Sequence, residues 1–226
     1  MRGWWPGSRP PRRQVVTLAP PDAYARWASS YPPEPHNPLM AAEQAAVMGL
    51  LDEGTVARFL DAGCGTGRYL RLLGGQAAYA VGVDASAPML AMASGLGFPL
   101  VRGDLRGVPV GAATVDCAVC ALALGDVPEL GLAIAGLART LRPGGRLVFS
   151  LVHERGQGEG WVRSFETPEG RWAVRTTWHT RADVLAACRD AGLAVDVVVE
   201  PPVSGSRAPA LLVVRARQPR RTHVVG

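Results

Sequence analysis

The sequence predicts an α/β fold, a Rossmann-like doubly wound sheet of seven mainly parallel strands with an antiparallel terminal strand. Three observations predict it. From residue 58 to residue 153, short apolar runs alternate with segments whose apolar residues recur at helical spacing. Two of the runs, residues 113–124 and 146–153, are apolar nearly throughout, as in parallel strands that helices cover on both faces. The connections are short, which is typical of doubly wound sheets.

The N-terminal part is predicted to lie outside the sheet. Residues 1–20 are rich in Pro and Arg and predict a disordered or loosely attached tail. Residues 22–31 favour a short helix capped by Asp22, and residues 39–52 favour a longer Ala-rich helix. These helices are expected to form an N-terminal helical cover, residues 21–56, on the sheet.

The alternating segment supplies the core strands and their helices. Helical patterns occupy residues 67–73, 87–97 and 127–141, and Pro143 and Gly144 stop the last of them. The predicted strands are residues 58–63, 78–86, 99–105, 113–124 and 146–153.

The rhythm changes after the fifth strand. Residues 156–179 are rich in Val, Thr, Phe and Trp on both sides of a turn at residues 167–170, so they predict a β-hairpin insert. A helix that ends near Gly192 and two further strands, expected to be an antiparallel pair, complete a single domain over residues 21–217. Residues 218–226 are expected to form a second tail.

Composition limits the cellular context and the partners. The 226-residue chain has no apolar run of the roughly 18 residues that cross a membrane, and its N-terminus lacks the apolar core of a signal peptide. A cytoplasmic location without membrane association is expected. Eight arginines lie in residues 1–20 and 210–226, which contain no acid. The whole chain has a net charge of +5, and the residues between these two segments have a net charge of −3. The chain is therefore not expected to bind nucleic acid, and it is expected to be a monomer or a homodimer.

The cysteines do not predict a metal site. Cys117 and Cys120 have C-x-x-C spacing, but they lie in an apolar run without a second pair of ligands nearby. Buried cysteine that packs as a small apolar side chain is favoured over a metal or redox site. No metal is expected.

A glycine-rich turn follows the first core strand. Gly63, Gly65 and Gly67 stand at alternate positions after Asp61. Glycine permits positive φ and lets a ligand approach the backbone, and this position is typical of nucleotide-type sites. The G-x-G-x-x-G spacing of dinucleotide sites is absent, and Asp61 would repel a pyrophosphate but suit an ammonium group. A tight turn without a ligand is the alternative.

Two further acids follow the next strands. Asp84 ends the second strand, where its carboxylate can accept hydrogen bonds from both ribose hydroxyls, although it can also serve as a helix cap. Asp104 ends the third strand and can accept from an adenine amino group, or it is a plain turn residue. Together with Asp61, these acids match the amino acid, ribose and base of S-adenosylmethionine, a ligand without phosphate.

Four motifs resemble those of a known family. The segments LDAGCGTGRYL, VGVDASAPMLAMA, VRGDL and LRPGGRLVFS are similar, in order and spacing, to those of class I S-adenosylmethionine-dependent methyltransferases. The resemblance covers about residues 24–152, and it points to the branch with the ubiquinone/menaquinone-type and malonyl-carrier-protein-type methyltransferases. It implies methyl transfer that leaves S-adenosylhomocysteine as product.

The resemblance also implies individual roles. The three glycines would line the methionine and ribose portions, Asp84 would hold the ribose, and Asp104 and Leu105 would flank the adenine. Ala121 and Leu122 would border the methionine end and the methyl group. The residues implied to bind the cofactor are Tyr24, Trp27, Asp61, Gly63, Gly65, Gly67, Asp84, Ala85, Met89, Gly103, Asp104, Leu105, Ala121 and Leu122.

Several of these positions have a second interpretation. Tyr24 and Trp27 match an N-terminal element that covers the cofactor in the family, or they are a core-facing pair on a helix. Met89, like Met92, fits core packing as well. Asp126 stands where relatives often carry a histidine, so no role is transferred to it.

The acceptor atom determines whether a base is needed. An oxygen acceptor of high pKa needs a general base, whereas an amine, a thiol or a carboxylate does not. His153 and His179 are the candidate catalytic residues, with His36 as a further candidate, and each can instead be a surface or hydrogen-bonded histidine. His223 lies in the tail and is set aside.

Aromatic residues indicate the class of acceptor. Residues at alternate positions of the hairpin share one face. Together with neighbouring aromatic residues, this face can form an apolar lid over the acceptor. The alternative is ordinary packing of the hairpin on the sheet. The residues concerned are Tyr24, Trp27, Tyr31, Trp161, Phe165, Trp172, Val174, Thr176 and Trp178. The acceptor would then be a small, partly apolar or aromatic molecule or a carrier-tethered chain.

The predicted function is methyl transfer from S-adenosylmethionine to a small organic acceptor, with oxygen slightly favoured, in natural-product or cofactor biosynthesis. The alternatives are a protein that binds S-adenosylmethionine without transferring the methyl group, an RNA methyltransferase, and a nicotinamide-dependent oxidoreductase.

Overall fold

The computed structural model describes residues 15–51 and 56–220. Most of the predicted N-terminal tail lies outside the described residues, as do residues 221–226 with His223.

The main sheet has seven strands and confirms the predicted fold class. The strands are β2 (Arg58–Ala62), β3 (Tyr79–Asp84), β4 (Leu100–Arg102), β5 (Val115–Ala121), β6 (Leu141–Val152), β9 (Ala194–Val199) and β10 (Leu211–Arg217). Their order across the sheet is β4-β3-β2-β5-β6-β10-β9. The strands from β4 to β6 pair in parallel, whereas the C-terminal strand β10 runs antiparallel to both β6 and β9.

Helices cover both faces of this sheet. They are α1 (Pro20–Trp27), α2 (Pro38–Leu50), α3 (Arg68–Leu73), α4 (Ala87–Ala93), α5 (Leu130–Thr140), α6 (Arg155–Gly158) and α7 (Arg181–Asp190). Leu60 packs in the core on one face, with residues of α5 and α7, and Phe59 packs on the other, with residues of α2 and α3. Because each successive side chain of a strand points to the opposite face, these two cores explain why apolar residues follow one another along the central strands.

Several boundaries differ from the predictions, and three of these differences change the position assigned to a residue or segment. The helix predicted to be capped by Asp22 begins at Pro20, with Ala19 as its N-cap, so Asp22 lies in its first turn and not at the cap. Strand β4 ends at Arg102, and Asp104 instead caps a short 3₁₀ turn. Strand β6 begins directly after α5 and includes the Pro-Gly-Gly segment, where its pairing with β5 has an irregularity.

A second sheet lies over the carboxyl ends of the main strands. The segment predicted to form a hairpin contains β7 (Arg163–Thr167) and β8 (Gly170–Val174), which pair antiparallel. A third strand, β1 (Val16–Leu18), pairs in parallel with β8, although the sequence places it in the loosely attached tail. Phe165 and Val174 pack there against Ala23 of α1 in a small separate core.

Candidate active site

A cavity of about 620 Å³ lies where the carboxyl ends of β2, β3 and β5 meet α1 and the hairpin. Of the fourteen residues implied to bind the cofactor, Gly67 alone does not line this cavity. The residues that the fold brings together there are Tyr24, Trp27, Asp61, Gly63, Gly65, Asp84, Ala85, Met89, Gly103, Asp104, Leu105, Ala121 and Leu122.

The glycines of the turn have two different uses. Gly65 has a φ of +54°, and a Cβ there would meet nothing within 4 Å, so the turn presents bare backbone to the cavity. Gly67 has a φ of +84° and caps α3, and a Cβ there would overlap the side chain of Leu96. Its glycine is therefore required by the backbone conformation, whereas the overlap involves only the terminal methyl group of the flexible Leu96 side chain.

Asp84 holds the turn in place. One carboxylate oxygen accepts from the Gly65 N–H at 2.8 Å, and the other accepts from the Ser86 N–H at 2.8 Å. Burial raises the pKa of Asp84, although both backbone donors oppose this effect. The carboxylate faces the cavity between the turn and the start of α4, where its remaining lone pairs can accept from hydroxyl groups.

Asp61 is almost completely buried, with 1% of its surface exposed. It accepts a hydrogen bond from the Leu70 N–H at 3.1 Å. Burial raises the pKa of this carboxyl to about 7, because a charged carboxylate loses hydration in the interior. A cationic ligand group in the cavity would favour its ionised form.

Asp104 is engaged by a neighbour that sequence reasoning missed. Its carboxylate accepts from the Arg106 N–H at 2.8 Å and from the Arg106 guanidinium at 2.6 and 2.9 Å. These hydrogen bonds lower the pKa of Asp104. One lone pair thus remains for an adenine amino group.

A network of polar side chains also contributes to the cavity lining. The Tyr24 hydroxyl donates to Asp126 at 2.8 Å and accepts from Arg163 at 3.2 Å. Arg163 and Asp126 form an ion pair, and Arg163 Nε donates to the Thr176 hydroxyl at 3.0 Å. Burial raises the pKa of Tyr24, so this phenol stays protonated at neutral pH.

Aromatic rings also line the cavity, next to Tyr24. Trp27 stacks on Phe165 with ring centroids 4.6 Å apart, and Tyr31 meets Trp27 edge-on at 4.7 Å. With Tyr24, these three residues line the cavity. The remaining residues of the predicted lid do not: these are Trp161, Trp172, Val174, Thr176 and Trp178.

The two candidate catalytic histidines lie away from the cavity lining. The Nδ1 atom of His153 accepts from the Arg155 N–H at 3.2 Å, and its Nε2 atom is 3.6 Å from Glu200. The Nε2 atom of His179 is 2.9 Å from the Val127 carbonyl oxygen, to which it donates. His36 does line the cavity, and burial lowers its pKa.

Three charged residues that sequence reasoning missed also line or support the cavity. Arg68 and Arg163 line it, and Glu43, fully buried on α2, forms an ion pair with Arg68 at 2.6 Å. The sequence contains a signal for two of them, Glu43 and Arg163. Glu43 stands at helical spacing between the buried residues Leu39 and Val47, and Arg163 alternates with Phe165 on one strand face.

Other expectations concern metals and membranes. Cys117 and Cys120 are buried in β5 and pack in the two cores. Within residues 15–51 and 56–220, no group of three or more His, Cys, Asp or Glu side chains is placed to hold a metal ion. None of the helices in those ranges combines the length and hydropathy that crossing a bilayer requires.

Comparison with known proteins identifies relatives. A family model described as a methyltransferase domain matches residues 60–149. The malonyl-[acyl-carrier protein] O-methyltransferase of Pseudescherichia vulneris is 33% identical over 132 residues, which are 58% of this chain and 52% of that protein. The demethylmenaquinone methyltransferase of Mycolicibacterium vanbaalenii is 33% identical over 91 residues, 40% of either chain. The chain thus spans about half the length of the curated relatives it matches.

A solved structure is similar over a larger share of the chain. The S-adenosylmethionine-dependent methyltransferase of Mesorhizobium loti superposes with a TM-score of 0.66 at 26% identity. The superposition covers 80% of this chain and 100% of that one.

Proposed function

We propose that this chain, which contains a class I S-adenosylmethionine-dependent methyltransferase domain, transfers a methyl group from S-adenosylmethionine to an oxygen atom of a small organic acceptor. One observation carries the proposal. A single cavity joins the glycine turn and Asp84 to an aromatic chamber that contains Arg163. A nucleoside cofactor and an apolar acceptor with an anionic group would therefore share one enclosed space.

The residues present fit the cofactor. Gly65 exposes bare backbone, Asp84 has free lone pairs for ribose hydroxyls, and Asp61 suits an ammonium group. When bound, the cofactor supplies a methyl group on a sulfonium, from which a neutral thioether departs as a good leaving group. The protein has to hold and align the acceptor, and alignment can lower the barrier by up to about 7–11 kcal/mol.

Arg163 favours a carboxylate as the acceptor. It lines the cavity together with Trp27 and Phe165, and three of its five N–H donors bond to Tyr24, Asp126 and Thr176. The two that remain, one on each terminal nitrogen, can contact a carboxylate in the geometry that guanidinium prefers. A carboxylate is ionised at neutral pH and needs no general base, which agrees with the position of His153 and His179 outside the cavity.

The names of the relatives also support an oxygen acceptor. The curated relatives include malonyl-[acyl-carrier protein] O-methyltransferases, which by their name methylate an oxygen. For this chain we extend only the reaction type, and we propose a role in the biosynthesis of a natural product or a cofactor. The aromatic lid of Trp27 and Phe165 would exclude water from the chamber and select a partly apolar acceptor.

The test is turnover of S-adenosylmethionine with a panel of acceptors. The purified chain is incubated with small carboxylic acids, carrier-linked acids, phenols and amines, and S-adenosylhomocysteine is quantified. We expect turnover with at least one acid and a methyl ester as product. Turnover only with phenols or amines would contradict the carboxylate, and binding of S-adenosylhomocysteine without any turnover would favour a protein that binds the cofactor without transferring its methyl. Turnover only with RNA, steeply reduced by salt, would contradict a small acceptor.

A further inference from the structure

We propose that Arg68 binds the carboxylate of the cofactor's amino-acid portion and that the buried Glu43 positions Arg68 for this contact. The inference rests on the proposed cofactor, because it assigns one of that ligand's charged groups. Nothing in the glycine motif itself requires an arginine at this position.

Arg68 occupies the right place for this contact. It is the first residue of α3 and follows the glycine turn directly. Its side chain is 12% exposed and lines the cavity beside Tyr31, His36 and Met40, which belong to the N-terminal cover. The guanidinium thus lies between the glycine turn and the N-terminal cover, where it lines the cavity.

Glu43 holds the guanidinium from behind. Its Oε2 atom is 2.6 Å from Arg68 Nη2, and its Oε1 atom accepts from the Tyr69 hydroxyl at 3.1 Å and from the Ser150 hydroxyl at 2.8 Å. Glu43 is fully buried, so its carboxylate depends on these partners for its hydrogen bonds. The Glu43 carboxylate thus has its hydrogen-bond partners inside the fold and does not need to reach the cavity.

Arg68 retains donors for a ligand. One N–H bonds to Glu43, and another is 3.5 Å from the Met40 carbonyl oxygen. A guanidinium has five N–H donors, so three have no protein partner in the part of the chain that the structure describes. Two parallel N–H groups of a guanidinium match the two oxygens of a carboxylate.

The surrounding charges match an amino acid with both groups ionised. Asp61 at the end of β2 and Arg68 at the start of α3 lie on the two sides of the glycine turn. Burial is the largest effect on the pKa of Asp61 and raises it, whereas the positive charge of Arg68 lowers it, so the two side chains interact. An ammonium at Asp61 and a carboxylate at Arg68 would place the amino-acid portion across the turn.

Glu43 also connects this contact to the reacting end. The Ser150 hydroxyl, which donates to Glu43, accepts from the Leu122 N–H at 2.9 Å. Leu122 has a φ of +56°, which is rare for a residue other than glycine, and it lines the cavity. Such conformations persist only where neighbours hold them. Glu43 therefore fixes both the carboxylate contact and the backbone at the end of β5.

The test compares two ligands that differ in the amino-acid portion. Calorimetry measures the affinity of S-adenosylhomocysteine and of 5′-methylthioadenosine, which has the same nucleoside but no amino acid. For Arg68→Met we expect the affinity for S-adenosylhomocysteine to fall by about 10- to 100-fold, while that for 5′-methylthioadenosine changes by less than about twofold. Arg71→Met, on the exposed side of the same helix, is the matched control and should change neither.

Two further variants allow for the unpaired charge that Arg68→Met leaves on Glu43. Arg68→Lys keeps the charge without the planar fork and should lose affinity for S-adenosylhomocysteine only. Arg68→Met combined with Glu43→Gln removes both charges and should show the same ligand-specific loss.

The outcomes separate the two proposals. Equal losses for both ligands, or no loss for S-adenosylhomocysteine, would show that Arg68 only neutralises Glu43 and would overturn the inference. If the wild-type chain binds neither ligand, the proposed function fails and this inference falls with it.

Discussion

Cofactor affinity should rise with pH through the titration of Asp61. Burial raises the pKa of this carboxyl from 3.8 to about 7. The proposed cofactor brings an ammonium group to the cavity, which favours the ionised carboxylate and lowers that pKa again. Binding must then release a proton, and the affinity must increase as the pH rises towards and through the pKa of the free protein.

The size of the effect follows from the pKa. A carboxyl with a pKa of about 7 is about 3% ionised at pH 5.5 and about half ionised at pH 7. A ligand that selects the ionised form should therefore bind about 15-fold more tightly at pH 7 than at pH 5.5. The ligand's α-amino group, with an ordinary pKa of about 7.7–8.0, stays mostly protonated over this range.

Calorimetry with S-adenosylhomocysteine at pH 5.5, 6.5 and 7 measures the affinity, and buffers of different ionisation enthalpy measure the released proton. Asp61→Asn is the matched control, because its amide oxygen can still accept from the Leu70 N–H but cannot ionise. Asp84 and His36, whose pKa values burial also changes, are retained in that variant. A flat affinity in the wild type, or the same slope in Asp61→Asn, would refute the reasoning.

Three further changes test separate parts of the site. Asp84→Asn should weaken binding of S-adenosylhomocysteine at least about tenfold by calorimetry, because it removes a charged acceptor of hydroxyl groups; an unchanged affinity would contradict the ribose contact. Gly67→Ala should lower the free energy of unfolding by about 1–3 kcal/mol in denaturant titrations, because its φ of +84° is strained for any residue with a Cβ. Gly75→Ala, where φ is not positive and a Cβ meets nothing within 4 Å, is its control, and equal losses would contradict the argument from backbone conformation. Arg163→Met should reduce kcat/KM for a carboxylate acceptor at least about tenfold with little change in cofactor affinity, and an equal loss of both would assign Arg163 a structural role.

The part of the cavity proposed to hold the cofactor, here called the cofactor half, can be predicted as a cluster of residues because its signals are local in sequence. Asp61 and Gly65 lie within one strand-to-helix turn, and Asp84 ends the neighbouring parallel strand. Parallel order places those strand ends at one edge of the sheet, so spacing along the chain converts directly into proximity. Asp104 shows the limit of this reasoning, since its hydrogen bonds to Arg106 depend on a 3₁₀ turn that the strand pattern does not reveal.

The part of the cavity proposed to hold the acceptor, here called the acceptor half, cannot be predicted in that way, because its residues are far apart in the sequence. Tyr24 and Arg163 are 139 positions apart and come together only when β1, the hairpin and α1 pack. A three-residue strand such as β1 is too short for a periodic pattern. His153 and His179 show a further limit, because a position after a strand or a hairpin does not determine whether a histidine lines the cavity.

The two halves therefore differ in how freely they can change. The cofactor half depends on backbone conformation at Gly65 and on the buried Asp61, so most substitutions there would disturb the turn itself. The acceptor half is formed by side chains of an insert and a cover, fastened by the ion pair of Arg163 with Asp126. Removing one member of a buried ion pair is more costly than removing both. A change of acceptor would therefore require paired substitutions at these two positions, while the cofactor turn stayed as it is.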